Sequence, residues 1–452
     1  MWFRQDLRLA DHPALTAAAG GPVLPVFIHD TTGPWAYGGA QLWWLGQSLR
    51  ALAADLAARG APLLLLQGDA TRLIPELAAR IGADAVHAAR LYEPAARARD
   101  EAVHKALAAQ GRKLHLHQGV LLHEPHRVRT GQGNPYGVYT PFSRNLFATG
   151  EPPPPLPAPA RLHAVPDAPS GGDFPAPSGP DWWAEFPAHW TPGEAGATAR
   201  LERFGTPGIR AYPDARNTPG IPGTSGLSPH LRWGEISPRQ VWHAARGLGA
   251  AGDHTFLKEV LWREFAYHLL WHRPHMPETP LQPAFANFPW APDARLLRAW
   301  QRGRTGYPIV DAGMRQLWRT GWMHNRVRMI VASFLVKHLL QPWQDGQAWF
   351  WDTLVDGDLA SNSASWQWVA GCGADAAPYF RVFNPVLQGE KFDPGGAYVR
   401  AFIPELAALP DKYVHKPWEA PRPPAGYPAP IIGLSEGRDR ALAAYATLKA
   451  AA

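Results

Sequence analysis

The 452 residues predict an α/β domain on a parallel sheet followed by an all-α domain. Three observations carry that expectation. Short apolar runs alternate with amphipathic ones over the first 125 residues, as βαβ units require. From about Thr198 onward apolar residues recur at three-to-four spacing, with no strand pattern of comparable length. Between these halves Pro, Gly and Ser break every period, most densely from Glu151 through Pro155. The expected divisions are therefore 1–125 (Rossmann-like α/β), 126–197 (connector) and 198–452 (helical).

Candidate strands are Val23–Ile28, Pro62–Leu66, Ala85–Ala88 and Lys113–His117, separated by candidate helices over 41–59, 71–81 and 95–110. Each of these helices ends near a glycine or another turn signal. Only Trp2 and Phe3 stand between Met1 and Arg4, which is short for a central first strand and leaves room for a native start upstream of Met1. No G-x-G-x-x-G follows that strand, so the ordinary dinucleotide fingerprint is absent. In the second half, Asp253–His272, Asp311–Leu340 and Gln344–Leu354 carry the helical period.

Composition narrows the chemistry. Cys372 is the single cysteine, which excludes a disulfide framework, a cysteine-ligated zinc site and a cysteine-bound iron–sulfur cluster. No run approaches the roughly 20 apolar residues of a membrane helix and no signal peptide opens the chain, so a cytoplasmic protein is expected. The formal charge is +6, and eight arginines between Arg295 and Arg328 face one acid, Asp311. Such a stretch suits a phosphate backbone or a solvated helix face. Of 21 tryptophans, 13 fall between Trp233 and Trp368, where core packing is the ordinary explanation. His268, His272 and His275 have helical spacing but no companion ligand, so no metal is expected.

Two segments carry more. In Gly223-Thr224-Ser225-Gly226-Leu227-Ser228, small hydroxyls and glycines precede a helical stretch, a pattern shared by phosphate cradles and plain N-capped turns. In Trp322-Met323-His324-Asn325-Arg326-Val327-Arg328-Met329, helical spacing puts Asn325, Arg328 and Met329 on one face, and Asp356 or Asp358 could pair the arginine.

These segments, with Trp2-Phe3-Arg4-Gln5-Asp6-Leu7-Arg8-Leu9, Tyr139-Thr140-Pro141-Phe142, Trp262-Arg263-Glu264-Phe265, Thr305-Gly306-Tyr307-Pro308 and Asp356-Gly357-Asp358-Leu359-Ala360-Ser361-Asn362, closely resemble class I photolyases of the photolyase/cryptochrome family. The resemblance runs in order along nearly the whole chain, to about Trp418. It implies an N-terminal α/β domain, a connector and a helical domain that holds FAD. Tyr212, Thr224, Ser225, Gly226, Leu227 and Ser228 match the diphosphate side, and Phe256, Arg263, Asn325, Arg328, Asp356, Asp358 and Asn362 match the surroundings of flavin and adenine.

The same resemblance implies light-driven repair of cyclobutane pyrimidine dimers in DNA, with the dimer flipped from the duplex, a step already described for photolyases in general. Trp262 and Trp368 match the walls on which the dimer stacks, Glu259 and Asn325 its polar contacts, and Met329 the pocket flank; Arg216, Arg326 and Arg381 match phosphate-gripping positions. Trp366, Trp343 and Trp290 match a relay that carries electrons to the flavin. Asparagine at position 362, where plant cryptochromes tend to carry aspartate, favours repair over signalling. Neither Asn325 nor Met329 is the histidine typical of enzymes for the (6-4) lesion. Pro94-Ala95-Ala96 stands where folate-binding relatives have polar residues, so the identity of any second, antenna chromophore is open; Gly39 to Trp44 could line its pocket. UV-damaged DNA is the expected partner and a monomer the expected state. A cryptochrome-type photoreceptor without repair is the alternative.

Overall fold

The computed structural model describes residues 1–249, 251–375 and 381–450. In chain order its strands and α-helices are β1 (Trp2–Phe3), α1 (Pro13–Ala18), β2 (Pro22–Val23), β3 (Val26–His29), α2 (Gly39–Ala58), β4 (Leu64–Gln67), α3 (Ala70–Arg80), β5 (Ala85–Ala89), α4 (Pro94–Ala108), β6 (Lys113–His117), α5 (Tyr139–Ala148), β7 (His163–Ala164) and α6 (Glu194–Ala215). There follow α7 (Ser228–Trp233), α8 (Pro238–Gly247), α9 (Asp253–His272), α10 (Ala294–Gln301), α11 (Pro308–Thr320), α12 (Asn325–Ser333), α13 (Trp343–Thr353), α14 (Leu359–Ala370), α15 (Pro385–Phe392), α16 (Ala397–Phe402) and α17 (Leu434–Ala450). Packing groups them into two compact units: one of 1–179, 190–210 and 225–274, the other of 180–189, 211–224 and 275–452. No helix among the described residues is long and apolar enough to cross a membrane.

The first unit is built on a five-stranded parallel sheet in the order β4-β3-β1-β5-β6. Two residues suffice for its central strand because both are large and fully enclosed: Trp2 and Phe3 are buried, paired with Val26 and Phe27 on one side and, at Trp2, with Ala88 on the other. The single strand expected over Val23–Ile28 is two. Pro25 has no N–H for a ladder, so β2 leaves to pair with β7 while β3 joins the main sheet. Beyond the carboxyl end of β1 the chain is buried and polar. Gln5 donates to Glu93 (2.9 Å), His12 pairs with Asp6 (3.0 Å), and Arg4, paired with Asp100, lies over the Trp2 ring.

The second unit is helical around one core that includes Trp300, Trp343, Phe350 and Trp366. The helical stretch read as Asp311–Leu340 is interrupted. Gly321 takes a left-handed φ of 65° to end α11, packed so closely against Val355 and Phe186 that a Cβ would lie within 3 Å of either, and His324 caps the new start. After α12 the backbone widens into a π turn at Phe334–His338, where Leu339 N donates to Phe334 O across five residues. That turn is buried throughout, and Lys337 Nζ donates to Ala370 O (3.1 Å), closing the carboxyl end of α14. Cys372 is buried and its thiol is pushed up to about 12 by burial, which makes it inert.

Candidate active site

In the first unit α9 supplies most of the predicted residues. Glu259, Trp262 and Arg263 follow one another at three-to-four spacing on its less buried side, while Phe256 turns inward against Phe204 (5.3 Å between ring centroids). Trp262 lies flat on Tyr139, with ring centroids 3.6 Å apart and planes 7° from parallel. Tyr139 is itself fixed by its hydroxyl, which donates to Lys258 O (2.6 Å). Trp262 therefore has one backed face, yet it remains 37% exposed, and that combination makes a rigid stacking platform. The Tyr139 motif was visible in the sequence, but its role as the backing ring was not. Arg263 is spent on the backbone, donating to Val120 O (2.8 Å) and Leu231 O (3.5 Å).

Glu264, next along α9, is the first unit's most unusual acid. Its two oxygens accept from Leu122 N (2.9 Å) and His123 N (3.0 Å), tying the segment just ahead of the connector to α9. Burial outweighs those two donors and raises its pKa to about 7. The folded state thus holds a proton on Glu264 between pH 4.5 and about 7 that the unfolded chain releases, so this group's contribution to stability falls as pH rises through that window, by at most about 1.4 kcal/mol per pH unit. Glu264→Gln is expected to flatten this part of the profile. Thermal melts of parent and variant at pH 5 and pH 7.5 test it: an unchanged difference in Tm between the two pH values would show that Glu264 is ionised throughout.

The loop before α7 has the traits of an anion cradle. Gly226 adopts φ +63°, and a Cβ there would stand 2.6 Å from Arg200 Nη1. Ser225 Oγ accepts from Leu227 N (3.4 Å), and Ser228 is exposed. Arg200, which the sequence did not flag, brings a cation to that loop while its guanidinium lies over Trp190 (4.5 Å). Gly-dependent backbone, hydroxyls and a cation together fit a diphosphate.

In the second unit, Tyr212 is buried under the Arg216 guanidinium (5.4 Å), and Gly223, just before Thr224, packs so tightly on Ala215 that a Cβ would meet its oxygen at 2.5 Å. Arg328 donates through Nη2 to both oxygens of Asp356 (3.1 and 2.8 Å) and through Nε to Met323 O (2.8 Å). This is the ion pair the spacing suggested, held in a fixed orientation. Asp358 caps α14 by accepting from Ser361 N (2.7 Å), and Asn362 donates to Gln347 O (3.0 Å). An aligned cation and a neutral amide fit an anionic reduced flavin.

Arg326 is half-buried, and its partners are all neutral: Asn217 Oδ1 (2.7 Å), Met329 Sδ (3.8 Å) and the Phe392 ring (4.4 Å). Among the described residues its buried Nε has no hydrogen-bond partner. Burial and the nearby Arg216 both push its pKa down, so an incoming anion would relieve it. His324 is held at about 4 by burial and by Arg328, Arg326 and Arg216; being neutral, its Nδ1 can accept from Arg326 N (3.1 Å) and start α12. Asn325 is exposed beside it. Trp368 donates to Asp375 O (3.1 Å), and Arg381 is exposed.

The three relay candidates are joined through backbone. Trp366 is buried against Phe350 (5.0 Å) and Trp300 (6.2 Å) and presses on α13 at Gly346, one turn after Trp343. Trp290 lies tilted against Phe288 (4.4 Å), and Ala291 N, immediately after it, donates to Leu340 O, three residues before Trp343.

Known proteins match this arrangement. The DNA photolyase family profile fits residues 1–160, and that for the FAD binding domain of DNA photolyase fits 256–447. A deoxyribodipyrimidine photo-lyase of Agrobacterium fabrum is 51% identical over 469 residues, spanning 99% of this chain and 98% of the relative. The crystal structure of a bacterial class III photolyase from Agrobacterium tumefaciens superposes with a TM-score of 0.96 at 50% identity, covering 99% of this chain and 97% of that one. An archaeal photolyase from Sulfolobus tokodaii with two FAD molecules reaches 0.85 at 29% identity, covering 99% of both chains. The class I assignment is corrected accordingly: motifs shared across the family had been assigned to one class, whereas the similar solved structure is of class III. The chain belongs to the photolyase/cryptochrome family, on its photolyase side, and carries that family's FAD-binding domain.

Proposed function

We propose that this chain is a class III deoxyribodipyrimidine photo-lyase that splits cyclobutane pyrimidine dimers in UV-damaged DNA back to intact pyrimidines, working as a monomer. The observation that carries the reading is Trp262, a partly exposed ring held flat on Tyr139. A dimer flipped out of the duplex needs such an apolar surface to replace the stacking it gives up. Asn325, exposed at the start of α12, offers a neutral amide to base edges, and Glu259 an acceptor. Arg326, lacking any carboxylate, takes a phosphate, as do Arg216 and Arg381.

Reduced FAD, when bound, supplies the electron that light sends to the dimer. In the first unit Ser225, Gly226, Leu227, Ser228 and Arg200 would hold its diphosphate side, and Phe256 and Arg263 support that loop's neighbourhood; Tyr212 and Thr224 are matched to the same role by sequence alone. Arg328, oriented by Asp356, stabilises negative charge on the flavin, and Asn362 has no acidic proton to give it. Trp366, Trp343 and Trp290 bring electrons inward.

The test is an oligonucleotide with one thymine dimer, mixed with reduced holoprotein and divided between blue light and dark. Light-dependent return of intact thymines supports the reading; flavin photoreduction without repair replaces it with the photoreceptor reading. For the platform, Trp262→Ala is expected to cost roughly 1 to 3 kcal/mol of lesion affinity. Unchanged binding by fluorescence anisotropy would remove Trp262 from the site.

A further inference from the structure

Apart from Arg326, the arginines of the basic stretch fall into two groups. Arg315, Arg319 and Arg328 each hold a carboxylate at 2.8 Å, on Glu405, Glu185 and Asp356. Arg295, Arg298 and Arg302 are exposed along one side of α10 and its exit, a stripe about 10 Å long at 1.5 Å per residue. Among the described residues their guanidinium groups form no ion pair or hydrogen bond. Arg304 is exposed just beyond and acts electrostatically on Glu405. Within 291–304 the sole acid is Asp293, whose side chain caps α10 by accepting from Arg295 N and Leu296 N.

This stripe lies beside the tryptophan set. Trp290 is half-buried four residues ahead of α10, and Gln341 Nε2 donates to Asp293 O (3.3 Å), binding the helix start to the segment leading to Trp343. On the inner side of α10, Trp300 is fully buried 6.2 Å from Trp366, with its Nε1–H donating to Val331 O (3.0 Å). Four cations oppose the loss of an electron from Trp290, so their placement does not serve its oxidation. They do attract an anionic donor and make the oxidised ring a stronger acceptor.

We infer that the Arg295–Arg304 face is the docking surface for an acidic one-electron carrier protein that re-reduces Trp290. The inference rests on the relay reading of Trp366, Trp343 and Trp290. FAD, when bound in its oxidised form, would supply under light the oxidising equivalent that leaves Trp290 one electron short. The carrier then loses one electron, the Trp290 radical cation gains it, and no proton moves. Duplex DNA would also meet a basic stripe. The carrier is favoured because these cations gather at the relay's outer residue and on the helix that touches Trp366, whereas Arg326, with its orphan Nε, starts α12 at the end opposite Val331.

The experiment compares FAD-loaded parent with an Arg295→Glu/Arg298→Glu variant, both sites being exposed. The probe is an acidic iron–sulfur ferredoxin, oxidised for binding in the dark and reduced for decay of the tryptophan radical after a flash. The variant is expected to bind ferredoxin and to have its radical quenched roughly tenfold more weakly or worse, while the uncharged donor ferrocenylmethanol quenches both proteins equally. Salt should erase the parent's advantage. Equal ferredoxin binding and quenching by the two proteins overturns the docking surface, and so does a variant that loses affinity for duplex DNA alone, since the stripe then belongs to DNA. Absence of any tryptophan radical in the parent overturns the relay itself, a failure distinct from that of docking.

Discussion

Gly346→Val is expected to lower stability by about 3 kcal/mol and to impair flavin photoreduction. A Cβ at this position would stand 2.1 Å from Trp366 Cη2, 2.4 Å from Cζ3 and 2.6 Å from Cζ2. Trp366 cannot swing aside cheaply, because it is buried between Phe350 and Trp300. Replacing glycine inside a helix recovers a few tenths of a kcal/mol to about 1, while forcing extra volume into a packed core costs about 1 to 3 and occasionally more. Three ring atoms inside contact distance place this site at the upper end, and the clash wins. Thermal unfolding with simultaneous photoreduction kinetics measures both effects. A variant with unchanged Tm would mean that α13 slides away from Trp366 freely, and the link drawn between Trp366 and Trp343 would go with it.

Arg328→Met is expected to cost about 3 kcal/mol, most of it recoverable. The substitution leaves the Asp356 carboxylate, 3% exposed, without its cation. Breaking a buried pair typically costs about 3 to 5 kcal/mol, and the 24% exposure of Arg328 argues for the low end. The cost lies in the stranded charge, so adding Asp356→Asn should restore stability although it removes a second native group. Denaturant unfolding of both single variants and the double variant completes the cycle. If the loss in the double variant equals the sum of the two single losses, the side chains are energetically independent, and a double variant no more stable than Arg328→Met would mean that the cost does not lie in the stranded charge. Flavin retention is expected to stay reduced in all three, since none keeps the oriented cation.

What the sequence made legible follows physical lines. Asp253–His272 emerged with both ends correct, because its signals are local. Asp311–Leu340 did not, since the apolar period continues across Gly321, whose left-handed turn is imposed by Val355 and Phe186 from distant parts of the chain. Charge and spacing narrowed the partner of Arg328 to Asp356 or Asp358, and the folded chain selects Asp356. Arg263 was not understood in the same way, as its partners are the backbone carbonyls of Val120 and Leu231, which no sequence pattern displays. Tyr139 and Arg200 were missed for a similar reason: a backing ring and a cation over a loop are consequences of packing between segments far apart in sequence.

The π turn at Phe334–His338 sets a constraint of another kind, on chain length. An α-helix rotates about 100° per residue, so shortening this turn by one residue would swing everything beyond it through most of a right angle or more. Lys337 would leave the end of α14, His338 would leave its place against Gly437, and Trp343 would change azimuth toward Trp366. The segment acts as a vernier that trims two helices into phase. A deletion here would therefore put the two helices out of phase whichever residue was removed.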